Sequence, residues 1–166
     1  GRGEIYAKQG NLTLAAADLL KATRVDSFSD AAHAALGAVY AAQNRTDDAL
    51  AEYGIAINLS PKDYAYHVKS AEILYRAGRY NEAAKAYDNA LKLNMKDAGS
   101  WQRLGEMLRL SGRFEEAAVA YGQLNALIPD NPDTLYIQAE LLEKIGKYKE
   151  SGDIYARLVK DDPKNV

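Results

Sequence analysis

The feature that most constrains this chain is a set of residue columns that return every 34 positions, as the steps Gly78, Gly112 and Gly146 show. Gly10 continues that column, and Asn44 takes its remaining slot. Ala15, Ala49, Ala83 and Ala117 recur with Ser151, and Tyr53, Tyr87, Tyr121 and Tyr155 recur with Leu19. Ala22, Ala56 and Ala90 align with Leu124 and Leu158, while Pro61, Pro129 and Pro163 align with Ser27 and Met95. A further column holds Gly3, Gly37, Ala71, Gly105 and Ala139, preceded four residues earlier by His33, His67, Trp101 and Leu135. Several independent columns in one register mean an array of similar elements, each packed on its neighbours.

Each repeat reads as two helices. Trp101, Leu104, Gly105 and Leu108 are spaced by three and four residues, which is one face of a helix. Ser111-Gly112 stops it, because glycine tolerates the left-handed backbone of a helix C-terminus; Asn44 can take the same conformation. A second helix is expected from near Phe114, with Glu115 and Glu116 at the positive end of its dipole. Ala117, Tyr121, Leu124 and Leu127 form its apolar stripe, and Pro129 ends it. Gly105 with Ala117, and Gly37 with Ala49, are expected where two helices cross closely, and Tyr121 and its equivalents are expected to fill space between successive hairpins.

These columns resemble the tetratricopeptide repeat: a large residue, leucine and a small residue in helix A, a glycine-containing turn, then alanine, tyrosine, alanine and proline in helix B. The resemblance spans residues 1–166 as one array, with full repeats at 30–63, 64–97, 98–131 and 132–165, and residues 1–29 as the end of another entered partway through its helix A. It implies an all-α fold, a right-handed superhelical solenoid of antiparallel helix pairs. Ser70 and Gln138 stand where leucine is usual, and Ser151 where alanine is. Met95 replaces the repeat-ending proline, which predicts a slightly longer helix B in repeat 64–97. Because Gly1 is not a methionine start and no polar capping element follows Pro163, an excerpt of a longer protein is expected.

A formal net charge of -2 supplies no basic footprint for nucleic acid or an anionic membrane, so neither is an expected partner. With 0 Cys there is no disulfide framework or thiolate metal site, and no apolar run is long enough to span a bilayer. His33 and His67 are repeat equivalents of Trp101 and Leu135, so packing is expected of them rather than metal binding. Asp47-Asp48 and Glu115-Glu116 open helices and favour the dipole there, which accounts for them without acid–base chemistry. Asn11-Leu12-Thr13, Asn44-Arg45-Thr46 and Asn58-Leu59-Ser60 match the glycosylation acceptor pattern, but turns select asparagine on their own account. No catalytic, cofactor or metal residues are assigned, and a non-enzyme is expected.

The resemblance implies that helix A lines a concave groove. Repeat 30–63 contributes a smooth wall, Ala31, Ala34, Ala35, Ala38, Ala41 and Ala42, and the richer chemistry follows it. Candidate partner-binding residues are Lys69, Glu72, Tyr75 and Arg76, then Gln102, Arg103, Glu106 and Arg109, then Tyr136 and Glu140. Arginine and lysine suit partner carboxylates, and tyrosine suits interaction hot spots. Lys69, Glu72 and Arg76 are also spaced for ion pairs within their helix, as are Arg103, Glu106 and Arg109, and both readings stand.

The carboxylate clamp of chaperone-binding (Hsp70/Hsp90-type) tetratricopeptide domains is absent. Its slots hold Ala34, Ala38, Lys69, Gly99 and Arg103 in one frame, of which only Arg103 agrees, and Val68, Glu72, Arg103, Asp133 and Ile137 in the next. The asparagine ladder of sugar-transferase arrays is absent too, its column reading Ala35, Lys69, Arg103 and Ile137.

The expected function is a protein-interaction scaffold that takes a peptide or partner helix in the groove. A structural spacer that self-associates end to end, and a regulatory region of an enzyme whose catalytic domain lies outside this chain, are the alternatives. The repeat itself yields a first test: Tyr87→Ala opens a hole in the stack and is expected to cost about 3–5 kcal/mol in a denaturant titration. An unchanged midpoint would place Tyr87 on the wrong face.

Overall fold

A computed structural model describes residues 1–129 and 131–161. Its helices are α1 (Arg2–Lys8), α2 (Leu12–Val25), α3 (Asp30–Ala42), α4 (Thr46–Leu59), α5 (Tyr64–Arg76), α6 (Tyr80–Leu93), α7 (Ala98–Leu110), α8 (Phe114–Leu127), α9 (Pro132–Lys144) and α10 (Tyr148–Asp161). Odd-numbered helices are the A helices of the repeats and even-numbered ones the B helices. Pro163, the stop expected for the last repeat, lies outside the described residues. The chain divides into two compact units with the boundary between Arg79 and Tyr80. In the first, α1 packs on α2, α2 on α3, α3 on α4 and α4 on α5. In the second, α6 packs on α7, α7 on α8, α8 on α9 and α9 on α10.

The helix ends follow from local chemistry. At the turn inside each repeat the chain passes through a left-handed residue, with φ of +73° at Gly112 and +61° at Asn44. The following amide then reaches back over the helix end: Arg113 N–H donates to the Leu108 carbonyl at 2.8 Å, and Arg45 N–H to that of Tyr40 at 2.9 Å. That bond satisfies a carbonyl which the helix leaves orphaned. The A helices start on capping side chains, Ser29, Asp63, Asp97 and Asn131, each accepting from a first-turn amide.

The helix before Met95 is not lengthened. Helix α6 has 14 residues, as do α4 and α8. Proline is not what stops it: the Asn94 side chain accepts from Lys96 N–H at 3.1 Å, making a turn of its own, and the Trp101 indole donates to the Met95 carbonyl at 2.8 Å. His67 does the same in its repeat, its Nε2–H donating to the Pro61 carbonyl at 3.1 Å. The ring four residues into these A helices thus holds the loop that precedes it.

Small residues set the helix spacing. A Cβ placed on Gly37 would lie 2.9 Å from the Tyr53 ring and 3.1 Å from the Ala49 carbonyl oxygen, so α3 and α4 meet backbone to backbone. At Gly105 the three nearest atoms all belong to the Tyr121 ring, the closest at 2.8 Å. The tyrosines therefore do more than fill space between hairpins: each ring first closes the gap over the glycine of its own hairpin. Tyr53 also reaches forward, its ring centroid 6.5 Å from that of Tyr66.

Gln138 replaces a leucine because of what it faces. Asn125 Nδ2 donates to Gln138 Oε1 at 2.8 Å, and Thr134 Oγ1 donates to Asn125 Oδ1 at 2.5 Å, joining α8 to α9 through polar groups that are buried at Asn125 and Thr134 and half-buried at Gln138. Gly122 makes room, since a Cβ there would lie 3.0 Å from the Gln138 amide nitrogen. A satisfied buried network favours one register of stacking, because any slip leaves its members unpaired.

Ser151 is the converse case. It is 1% exposed and its Oγ has no hydrogen-bond partner among the described residues, whereas Ala15, Ala49, Ala83 and Ala117 fill the same column at 0% exposure. Ser151→Ala removes an unsatisfied hydroxyl and is expected to raise stability by about 1 kcal/mol. A lower urea midpoint for that variant would show that the hydroxyl has a partner in solution.

Candidate protein interface

The sequence-derived binding residues fall on the A helices of both units. In the first unit α5 carries Lys69, Glu72, Tyr75 and Arg76. Lys69 Nζ donates to Glu72 Oε2 at 2.8 Å, Tyr75 is half-buried and Arg76 is exposed. In the second, α7 carries Gln102, Arg103, Glu106 and Arg109, with Arg103 Nη1 donating to Glu106 Oε2 at 3.2 Å. Gln102, Arg103 and Arg109 are exposed. The charge of Arg109 acts on the Tyr121 hydroxyl. On α9, Tyr136 is 52% exposed with its ring edge-on to Tyr155 at 5.8 Å, and Glu140 is exposed.

The intrahelical ion pairs expected from the spacing are therefore formed. They do not remove these side chains from service: Lys69 remains 53% exposed and Arg103 50%, and an exposed pair at this spacing contributes only about 0.3–0.5 kcal/mol. A partner carboxylate can replace the internal one at small cost.

The alanine wall of the first unit borders a hollow of about 310 Å³ between α1 and α3, lined by Ala35, Ala38, Val39 and Ala42 with Ala7, Leu12 and Leu19, and rimmed by Glu4 and Lys8. The histidines have structural partners. His33 is buried with Nδ1–H on Glu52 Oε2 at 2.6 Å, and His67 holds the Pro61 carbonyl.

One contribution was not visible in the sequence. The helix B tyrosines, assigned to architecture, also carry their hydroxyls toward charged residues of the A helices. Burial raises the Tyr53 phenol above its ordinary value, helped by the charge of Glu72. Burial likewise raises Tyr121, with Arg109 opposing and Glu106 adding to the shift, and it raises Tyr155, where Glu143, Tyr136 and Glu140 add to it. The column spacing shows where such a ring starts, but the hydroxyl position depends on how deep the helix crossing is.

Models of the tetratricopeptide repeat match residues 1–66, 68–126 and 108–166, essentially the whole chain. The chain belongs to the tetratricopeptide-repeat family. Solved structures show the same fold. A crystal structure of MamA is 17% identical with a TM-score of 0.78, covering 99% of this chain and 96% of that one. MamA from Desulfovibrio magneticus RS-1 is 13% identical with a TM-score of 0.72, covering 99% and 93%. YrrB, described as a tetratricopeptide-repeat protein with an unusual peptide-binding site, is 17% identical with a TM-score of 0.75, covering 98% and 84%. No curated protein sequence matches this chain. The tetratricopeptide-repeat assignment thus rests on the family models over the chain's length, and the solved structures agree with it in fold.

The raised phenols give a prediction with a definite sign. Tyr53 and Tyr121 hold their protons more tightly folded than unfolded, so their contribution is fully present below the ordinary phenol value of about 10 and is lost as pH rises through their raised folded values. The urea midpoint is expected to fall on going from neutral pH to above about 10, and to fall less in the Tyr53→Phe/Tyr121→Phe variant. An equal fall in both proteins would remove these phenols as the cause.

Proposed function

We propose that this tetratricopeptide-repeat protein is a non-enzymatic scaffold that binds an extended peptide or a partner helix on the exposed faces of its A helices. The observation that carries the reading is the division of labour within α7. Leu104, Gly105, Met107 and Leu108 are buried and complete the packing, while Gln102, Arg103 and Arg109 stay exposed on the other side. Helix α5 divides likewise, with Ser70, Ala71 and Leu74 buried and Lys69 and Arg76 exposed. Packing does not determine these exposed residues, and their cations and neighbouring tyrosines are the groups that recognise carboxylates and provide amphipathic contact area.

A segment laid along exposed helix faces is a recurring mode of peptide recognition. The description of YrrB as carrying a peptide-binding site supports this reading for a protein of the same fold. Lys69, Arg76 and Arg103 are assigned to partner carboxylates, with Glu72, Glu106, Arg109 and Glu140 setting the charge pattern around them. Tyr75, Gln102 and Tyr136 supply contact area and hydrogen bonds.

The test is a charge reversal that spares the core. Peptides selected on the wild-type protein from a displayed random library are expected to be acidic, and Lys69→Glu with Arg103→Glu is expected to weaken them by about tenfold or more while far-UV circular dichroism stays unchanged. Equal affinity for the same peptides in the double variant would exclude these residues as the binding site.

A further inference from the structure

A second surface lies on the opposite side of α7. Helix geometry advances by about 100° per residue, which places Trp101, Leu104 and Leu108 together and turns them away from Gln102, Arg103, Glu106 and Arg109. Those three side chains, with Ala84 of α6 and Ala120 of α8, form the floor of a notch between α6 and α8 with a volume of about 350 Å³. All of it belongs to the second unit. Pockets of about this size and larger hold small ligands or single large side chains.

The residues around the notch differ from those of an earlier repeat. In repeat 30–63 the matching columns pair with one another: Glu52 reaches the ring of His33 at 2.6 Å, and the Arg45 guanidinium lies over the Tyr40 ring, 4.1 Å from its centroid. In repeat 98–131 the residue in the column of Glu52 is Ala120, and that in the column of Tyr40 is Leu108. Both of those pairings are missing. Arg113, in the column of Arg45, instead forks onto Glu116 through Nε at 2.7 Å and Nη2 at 2.5 Å. Trp101, in the column of His33, is pinned by its indole N–H to the Met95 carbonyl and keeps a partly exposed face.

The rim states what fits. Its carboxylates are already paired, Glu116 with Arg113 and Asp88 with Lys92 at 2.6 Å. Its spare donors are cationic: Lys85 is exposed and has no ion-pair or hydrogen-bond partner among the described residues, and Arg113 Nη1 lies outside the fork to Glu116. Val119, 64% exposed, extends the apolar floor to the edge. We propose that this notch docks a short acidic segment of a partner protein, which buries one large apolar side chain on Trp101, Leu104 and Leu108 and sets a flanking carboxylate against Lys85 and Arg113. Aromatic floors of this kind supply most of the affinity at small interfaces, and the charged rim selects among partners.

The chain has 1 Trp, so intrinsic tryptophan emission reports on this notch alone. The probe is the peptide acetyl-Glu-Asp-Phe-Asp-Glu-amide, compared with a version carrying alanine for phenylalanine and one carrying lysine for every acidic residue. A saturable change in emission with the first peptide is expected, with both comparison peptides about tenfold weaker or more. Lys85→Glu, an exposed change that leaves the fold alone, is expected to weaken the first peptide by about tenfold, and Ala120→Leu to abolish the response by filling the notch. Lys69→Glu with Arg103→Glu, which disables the helix A faces, is expected to leave the response within about twofold, and this separates the two surfaces. No saturable response to the acidic peptide, equal binding of the lysine peptide, or full affinity in Lys85→Glu would overturn the proposal.

Discussion

The structure depends on how closely one helix of a pair can approach the other. At Gly3 a Cβ would lie 2.8 Å from Leu19 and 3.2 Å from the Ala15 carbonyl oxygen, and Gly37 and Gly105 are as crowded against Tyr53 and Tyr121. A missing side chain on helix A and an alanine on helix B let the backbones come together, and the large residue four positions after that alanine seals the contact. The spacing so fixed leaves each hairpin with an apolar flank that it cannot bury alone, which is why hairpins must stack. The left-handed turn residues and the capping side chains act later in this order. They set where each helix stops and starts, and so which residues reach the contact.

That same geometry decides what is left for function. With small residues and tyrosines completing the packing, one side of each A helix is released from structural duty, and the charges of α5 and α7 occupy it. The tyrosines join the two roles. Tyr121 seals Gly105 with its ring, and its hydroxyl lies within reach of the charges of Arg109 and Glu106. A truncation there would disturb both, whereas reversing Lys69 or Arg103 would touch only the surface.

The alternation of helix and turn was legible in the sequence: A helices begin at Asp30, Tyr64, Ala98 and Pro132, because one period carries turn, cap and core columns together. What periodicity could not show is any feature that depends on two columns at once. The Met95 expectation failed because the stop was already encoded in Asn94 and in the tie from Trp101. Gln138 read as a lone departure until Asn125, Thr134 and Gly122 were seen around it. His33 is buried, but its Glu52 partner lies on the other helix, nineteen residues along the chain, beyond the reach of column matching. The candidate interface residues were assigned to helix A from the resemblance, and their ion pairs from spacing; the hydroxyls that approach them were not foreseen.

Departures from the repeat matter through their partners more than through their identity. Tryptophan in place of His33 is by itself a modest change, since Trp101 still holds the preceding loop as His67 does. It borders an open notch where alanine replaces glutamate in the facing column and leucine replaces tyrosine beside it. A redundant scaffold permits such paired changes, because the small-residue contact at Gly105 and Tyr121 keeps the hairpin in register whatever the notch contains. Stacking free energy is shared among neighbouring hairpins, so one repeat can lose an internal pair such as His33–Glu52 without losing the fold. The place in an array to look for a specific partner is therefore where two facing columns have changed together and left space, since a change that only substitutes one core residue for another leaves its neighbours filled.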